Sequence, residues 1–288
     1  MNGFLNILKP PGMTSSDVVL RVRKMLPRGV RVGHGGTLDP DAAGVLPVCV
    51  GRATRLFDYI VDKEKHYIAE LALGVETDTQ DASGTPVAVR PVSSSAEDLK
   101  AVLPEFTGNI MQTPPAYSAI KRDGKRMYDL ARSGQAVELE ARPVTIHAME
   151  YREKIDDARY LIGVSCGKGA YIRTLCHDIG ARLGCGGHMA FLLRDRCGAF
   201  TLQEATALEE LTDVESRLLP LDFPLGKYPV LRLEEKCLHA VKNGNPVPAP
   251  GLEKGSVVRV YVQDAFAGMA EADGAGHARF KAMLFGAD

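Results

Sequence analysis

"GHGGTLDPDAAG", residues 33–44, decides how the rest of the chain is read. Gly33, Gly35, Gly36 and Gly44 surround one imidazole, His34, and two carboxylates, Asp39 and Asp41. Glycines free the backbone, and Asp39-Pro40 taken alone is an ordinary turn opener. Three enzyme chemistries use similar ingredients. A phosphate cradle needs G-x-G-x-x-G or G-x-x-x-x-G-K-S/T opening a helix, and this loop has neither. A zinc base deaminase needs H-x-E with P-C-x-x-C, and neither occurs in the chain. A glycosidase pairs two carboxylates, which Asp39 and Asp41 supply at a spacing of two residues.

Outward from the loop, the elements interleave without a βαβ rhythm. "GFLNILKPPG" reads as a strand ending in a turn. Thr14 and Asp17 form a T-x-x-D helix start, followed by Val18, Val19, Val22, Met25 and Leu26 at helical spacing. Arg21, Arg23 and Lys24 lie beside that apolar stripe. "VLPVCVG" predicts a strand and "ATRLFDYIVD" a helix. "HYIAELALG" alternates like a strand, with Tyr67, Ala69, Leu71 and Leu73 on one face. "TDTQDASG" is a polar turn, "SAEDLKAVLPEF" a helix, and "KRDGKRMYDLARSG" an Asp-Gly turn within the basic cluster Lys121, Arg122, Lys125 and Arg126, before another short helix. "ARPVTIHAMEYREKI" and "ARYLIGVSCG" predict strands, and "AYIRTLCHDIGARLG" a helix with Ile172, Leu175, Ile179 and Leu183 aligned. Such a pattern implies an α+β fold with a mainly antiparallel mixed sheet and flanking helices.

The chain of 288 residues fits two domains. A proline-rich break near residue 227 separates residues 1–227 from a small β-rich unit at 228–288, suited to RNA binding or to capping the first domain. Net charge is −1, yet residues 1–65 carry ten Lys/Arg against six Asp/Glu, a local surplus that suits a polyanion. No apolar run reaches the ~20 residues of a membrane span and no leader is evident, so a cytoplasmic protein is expected. The six cysteines form no C-x-x-C pair, which favours reduced thiols over disulfides. Cys176, His177, Cys185 and His188 cluster in sequence but lack the paired short spacing of a zinc site, so no metal is expected.

The loop is not isolated. "GHGGTLDPDAAGVLPVCVGRATR", "LNILKPPGMTSSDVV", "KHYIAELALGVETDTQDASG", "TPPAYSAIKRDGKRMYDLARSG", "CGKGAYIRTLCHDIGARLGCGGH" and "FPLGKYPVLRL" together resemble TruB-type tRNA pseudouridine synthases. The resemblance covers nearly the whole chain and is weakest after about residue 245. It implies a pseudouridine synthase-like catalytic domain and a PUA-like C-terminal domain. It also implies isomerisation of uridine 55 in the T-loop of tRNA: the base is cut at N1, turned over and rejoined through C5, with no cofactor. By resemblance Asp39 is the catalytic carboxylate, acting either by covalent attack or by removing a sugar proton. Arg173 is the arginine that pairs with it, and an opposite charge lowers a carboxylate's pKa. Tyr67 stacks on the extruded base, Tyr171 and Leu192 line the pocket, and His34 helps hold the rearranged RNA loop. Arg21, Arg23, Lys24, Lys121, Arg122, Lys125 and Arg126 would grip flanking phosphates.

Two positions depart from the family pattern. Gly35 stands for a usual threonine, which is expected to loosen the loop. Asp41 stands for a usual leucine, and would raise the pKa of Asp39 if it faced the pocket; it is expected to face solvent. The partner implied is the T-arm of tRNA, met by a monomer with no obligate protein partner and no membrane. The competing reading is a non-catalytic module that binds or folds tRNA.

Overall fold

The computed structural model describes residues 1–61, 64–115, 121–122, 125–126 and 140–285, with backbone only at 121–122 and 125–126. The side chains of Lys121, Arg122, Lys125 and Arg126, and the helix expected after them, lie outside the described residues. Their strands, β8 (Lys121–Arg122) and β9 (Lys125–Arg126), pair antiparallel around the Asp-Gly dipeptide.

A ten-stranded sheet dominates. It contains β1 (Gly3–Lys9), β2 (Val32–His34), β3 (Ala43–Val50), β4 (Lys65–Leu73) and β7 (Gly108–Gln112). The later strands are β10 (Arg142–Lys154), β11 (Arg159–Cys166), β12 (Gly187–Cys197), β13 (Phe200–Thr201) and β14 (Thr206–Ala207). Its path runs β14-β1-β3-β12-β4-β11-β10-β7, with β2 on β3 and β13 on β12. Only the β1–β14 and β3–β12 pairs are parallel, so the sheet is mixed and mainly antiparallel, as the unrhythmic element order implies. A separate ribbon, β5 (Val75–Thr77) with β6 (Pro86–Val89), carries the "TDTQDASG" turn between its strands.

Thr14 caps α1 (Ser15–Lys24) in a reciprocal box with Asp17, at 2.9 and 3.1 Å. Val18, Val19 and Val22 of α1 pack on Leu5, Ile7, Leu46 and Val48 of β1 and β3. The stretch expected as a helix at "ATRLFDYIVD" begins instead as a 3₁₀ turn, Gly51–Leu56, before the short α2 (Phe57–Val61). Gly51 at φ +62° and a Thr54 Oγ1 bond back to its carbonyl tighten that turn. On β4, Tyr67, Ala69, Leu71 and Leu73 share a core with Leu99 and Val102 of α3 (Ala96–Val102). Ile172, Leu175, Cys176 and Ile179 of α4 (Ile172–Arg182) complete it.

The C-terminal sheet has the order β15-β17-β18-β19-β16. Its strands are β15 (Val230–Leu233), β16 (Val247–Pro248), β17 (Val257–Val262), β18 (Ala265–Ala272) and β19 (His277–Met283). Val241, Val247, Val258, Val260 and Ala267 form its own core. A second cluster joins Met269, Ala282 and Leu284 to Phe4, Cys49 and Phe200 of the first sheet and to Leu56 of the 3₁₀ turn. Arg52 and Arg55 also donate across the junction, to the carbonyls of Leu284 and Met283, at 2.6 Å each. No described helix is long and apolar enough to cross a membrane.

Candidate active site

Asp39 sits on the loop between β2 and β3, and that loop is held by its backbone. Ser15 Oγ accepts from Leu38 N–H at 2.9 Å and donates to the Leu38 carbonyl at 3.1 Å. Lys9 Nζ donates to the carbonyls of Pro10, Met13 and Pro40 at 2.8, 2.7 and 2.9 Å. Arg194, from β12, donates to the carbonyls of Val45, Gly36 and Thr37 at 2.8, 3.2 and 3.3 Å. All three side chains are buried. Buried donors that satisfy loop carbonyls turn a glycine-rich segment into a fixed one.

Gly35 therefore does not loosen the loop. It is buried and its N–H bonds Pro47 O at 2.7 Å. A Cβ there would stand 2.9 Å from Ile60 Cγ2 and 3.4 Å from Pro47 Cβ, so Ile60 occupies the space a side chain would need. Restoring the family residue, Gly35→Thr, should destabilise the fold by about 1–3 kcal/mol through overpacking. A thermal melt checks this, and an unchanged midpoint would show that Ile60 yields freely.

A cavity of about 290 Å³ opens beside the loop, lined by Leu38, Asp39, Lys65, Tyr67, Lys168, Tyr171, Arg173, Leu192 and Arg194 among others. That volume lies at the small end for single bound ligands. In it, Arg173 Nε stands 3.1 Å from Asp39 Oδ2, and Arg173 Nη1 stands 3.2 Å from Asp81 Oδ2. Asp81 is fixed through its other oxygen by Thr79 Oγ1, Ser83 N–H and Ser83 Oγ, at 2.7, 3.0 and 2.6 Å. The polar turn between β5 and β6 thus aims the arginine. Gln112, buried at the end of β7, bonds both the N–H and the carbonyl of Tyr171, at 2.7 and 3.0 Å, and so sets where α4 begins.

The Asp39 carboxyl is pushed above its usual range. Burial is the largest cause and Arg173 opposes it; Asp81 adds to the rise and Lys9 subtracts. The expected lowering by Arg173 is present but outweighed, because Arg173 is shared with Asp81 and the pocket removes water. The side chain still keeps 40% of its surface accessible through the pocket mouth. Asp41 is exposed, as expected, and is the least of the influences on Asp39. Burial pushes the Tyr67 phenol up to about 12, with the Arg194 guanidinium opposing. Burial also lowers Lys9 to about 8, with Asp41 and then Asp39 opposing.

The structure gathers Asp39, Tyr67, Tyr171, Arg173 and Leu192 around one cavity. His34 stands apart from its wall. It is half-buried on β2, its Nδ1 is buried without a partner, and burial lowers its pKa. Arg21, Arg23 and Lys24 are exposed on α1 and do not line the cavity; Arg23 donates to Val32 O, and Arg21 reaches Glu209 at 4.0 Å. The cations that do line it, besides Arg173, are Lys65, Lys168 and Arg194, none of which the sequence reading singled out. Among the described residues no three His, Cys, Asp or Glu side chains come together as metal ligands. Cys176 and Cys185 are buried, burial pushes the Cys176 thiol up to about 12, and His188 Nδ1 lies 2.9 Å from Val75 O.

Residues 23–172 match the profile described as "TruB family pseudouridylate synthase (N terminal domain)". Residues 173–224 match "tRNA pseudouridylate synthase B C-terminal domain", and 229–281 match "Pseudouridine synthase II TruB, C-terminal". The chain is 47% identical to tRNA pseudouridine synthase B of Alkaliphilus oremlandii, covering 93% of this chain and 92% of the relative. It is 45% identical to the protein of that name from Heliobacterium modesticaldum, covering 91% and 87%. Among solved structures, a chain of a Cbf5-Nop10-Gar1 complex superposes with TM-score 0.74 at 28% identity, covering 95% of this chain and 79% of that one.

Proposed function

The chain belongs to the TruB family of pseudouridylate synthases, and from that premise we propose that it isomerises uridine 55 in the T-loop of tRNA, with Asp39 as the catalytic carboxylate. The observation that carries the reading is the Asp39–Arg173 pair at 3.1 Å, in a cavity roofed by Tyr67 and Leu192. A protein that only binds RNA gains nothing from a carboxylate held in a pocket that receives a polyanion, which weighs against the non-catalytic alternative.

In the proposed reaction the N1–C1′ bond breaks, the base turns, and C5 bonds to C1′ while the C5 proton leaves and N1 regains one. Atoms and electrons balance without an external reagent, so no cofactor takes part. Asp39 must be ionised for either role, covalent attack on the nucleotide or abstraction of a sugar proton. Arg173 opposes the neutralising effect of burial on that carboxylate, although burial outweighs it. The cavity admits one nucleotide and no base pair, so the uridine enters extruded, with Tyr67 replacing its lost stacking. Tyr171 and Leu192 complete the walls. His34, at the end of β2, meets the displaced loop bases.

Residues 1–227 carry the chemistry and residues 228–288, PUA-like, supply RNA contacts, in a monomer. The phosphates flanking the target meet the exposed basic residues Arg21, Arg23 and Lys24. Lys24 lies nine residues beyond Ser15, about 13 Å along α1 from the loop. Lys121, Arg122, Lys125 and Arg126 extend that grip.

Incubation with an unmodified tRNA transcript, followed by mapping of the modified nucleotide, tests the assignment directly. An isolated T-arm hairpin should remain a substrate, whereas the same sequence in a continuous duplex should not, because extrusion from a loop costs less. Affinity should fall steeply with salt as counterions are released. Equal rates on loop and duplex would sink both the extrusion argument and the T-loop assignment.

A further inference from the structure

Arg194 is fully buried, and among the described residues no carboxylate lies within ion-pair distance of it. Burying a guanidinium without a counter-ion carries a desolvation penalty that only good hydrogen bonds offset. Its partners are all on the functional loop or the pocket wall. It bonds the carbonyls of Gly36 and Thr37, three and two residues before Asp39, and of Val45 where the loop re-enters the sheet. On its own strand it stands directly across from Tyr67.

Two backbone features exist around this side chain. Gly44 lies so close to β12 that a Cβ would stand 2.2 Å from the Arg194 carbonyl oxygen, so only glycine lets β3 bring Val45 O to the guanidinium. On the other side, the β4–β12 register shifts between Arg194 and Arg196, leaving Asp195 out of the ladder and 2.5 Å from His66 Nδ1. The bulge keeps Arg194 opposite Tyr67 while the strand turns, a use of bulges common beside active sites.

We propose that Arg194 is a positioning residue that locks the Asp39 loop and the Tyr67 ring into one register, so that the carboxylate meets the sugar while the ring covers the base. The proposal rests on the functional reading above. A lysine would keep the charge, but a single ammonium cannot span Val45 O and the Gly36–Thr37 carbonyls at once.

The test uses full-length protein, an unmodified tRNA transcript, single-turnover rates, tRNA affinity and thermal melts. Arg194→Lys should lower the bound-state rate about 100-fold, the scale of a small misplacement of reacting groups, with affinity unchanged. If Arg194→Lys fails to fold, Arg194→Gln is measured in its place with the same expectation. An active wild type whose variant keeps its rate, or loses rate only in step with melting, overturns the positioning role alone. A wild type that makes no pseudouridine overturns the functional reading, and the proposal with it.

Discussion

Asp39→Asn should lower the single-turnover rate by roughly 10⁴-fold or more, the scale of removing a central catalytic group, while tRNA affinity holds or improves. The amide keeps the shape and the Arg173 neighbour but can neither attack nor accept a proton. Affinity does not suffer, because the change removes a negative charge from a cavity that receives a polyanion. The fold should not suffer either. Asp39 has its pKa raised in the folded state, so the folded chain binds that proton more tightly than the unfolded one. The ionised carboxylate then weakens folding as pH rises from the ordinary carboxylate value through the raised one. The neutral amide removes it, so the melting temperature at neutral pH should stay level or rise. Release of tritium from a transcript labelled at uridine C5 measures the rate, with mass spectrometry to detect reversion by deamidation. Substantial turnover without reversion would take Asp39 out of the central role.

Arg173→Met should cost about 10²–10³-fold in rate at neutral pH, and should displace the acid side of the pH–rate profile upward. Burial already raises Asp39, and Arg173 is the largest influence against it. With that cation gone, Asp39 keeps Asp81 as a neighbouring charge without the guanidinium that joined them. A carboxylate whose pKa is raised loses activity as pH falls through the raised value, so a further rise moves the loss to higher pH. Partial recovery in alkaline buffer is the signature. A loss equal at every pH, with the limb unmoved, would mean that Arg173 acts by orientation and not through charge.

Much of the fold was legible because its strands alternate and its helices carry caps. Thr14 and Asp17 announce α1, and the odd positions of residues 67–73 announce β4. The central strand β12 was not legible, and the reason is Arg194. A fully buried arginine interrupts the apolar alternation by which a central strand is read, and a bulge at Asp195 breaks the period again. The same residue hid the loop's main clamp. Family resemblance supplied Asp39, Arg173, Tyr67, Tyr171 and Leu192, which the fold brings together from two strands, a loop and a helix start. Residue type alone singles out none of them. Gln112 and Asp81 act on backbone or on another side chain across 59 and 92 residues of sequence, and no local pattern signals such a contact. Gly35 was misread because its space is filled by Ile60, a neighbour only in three dimensions.

The apolar cluster shared by the two sheets bears on how this chain melts. Met269, Ala282 and Leu284 bury against Phe4, Cys49, Leu56 and Phe200, so part of the first sheet's interior has its wall in the last forty described residues or fewer. Removing everything from residue 228 would leave that interior facing water. The boundary that is plain in the sequence is therefore not a folding boundary: both sheets should unfold in one cooperative transition, and surface point changes on the C-terminal strands, not truncation, are the way to weigh its contribution to RNA binding.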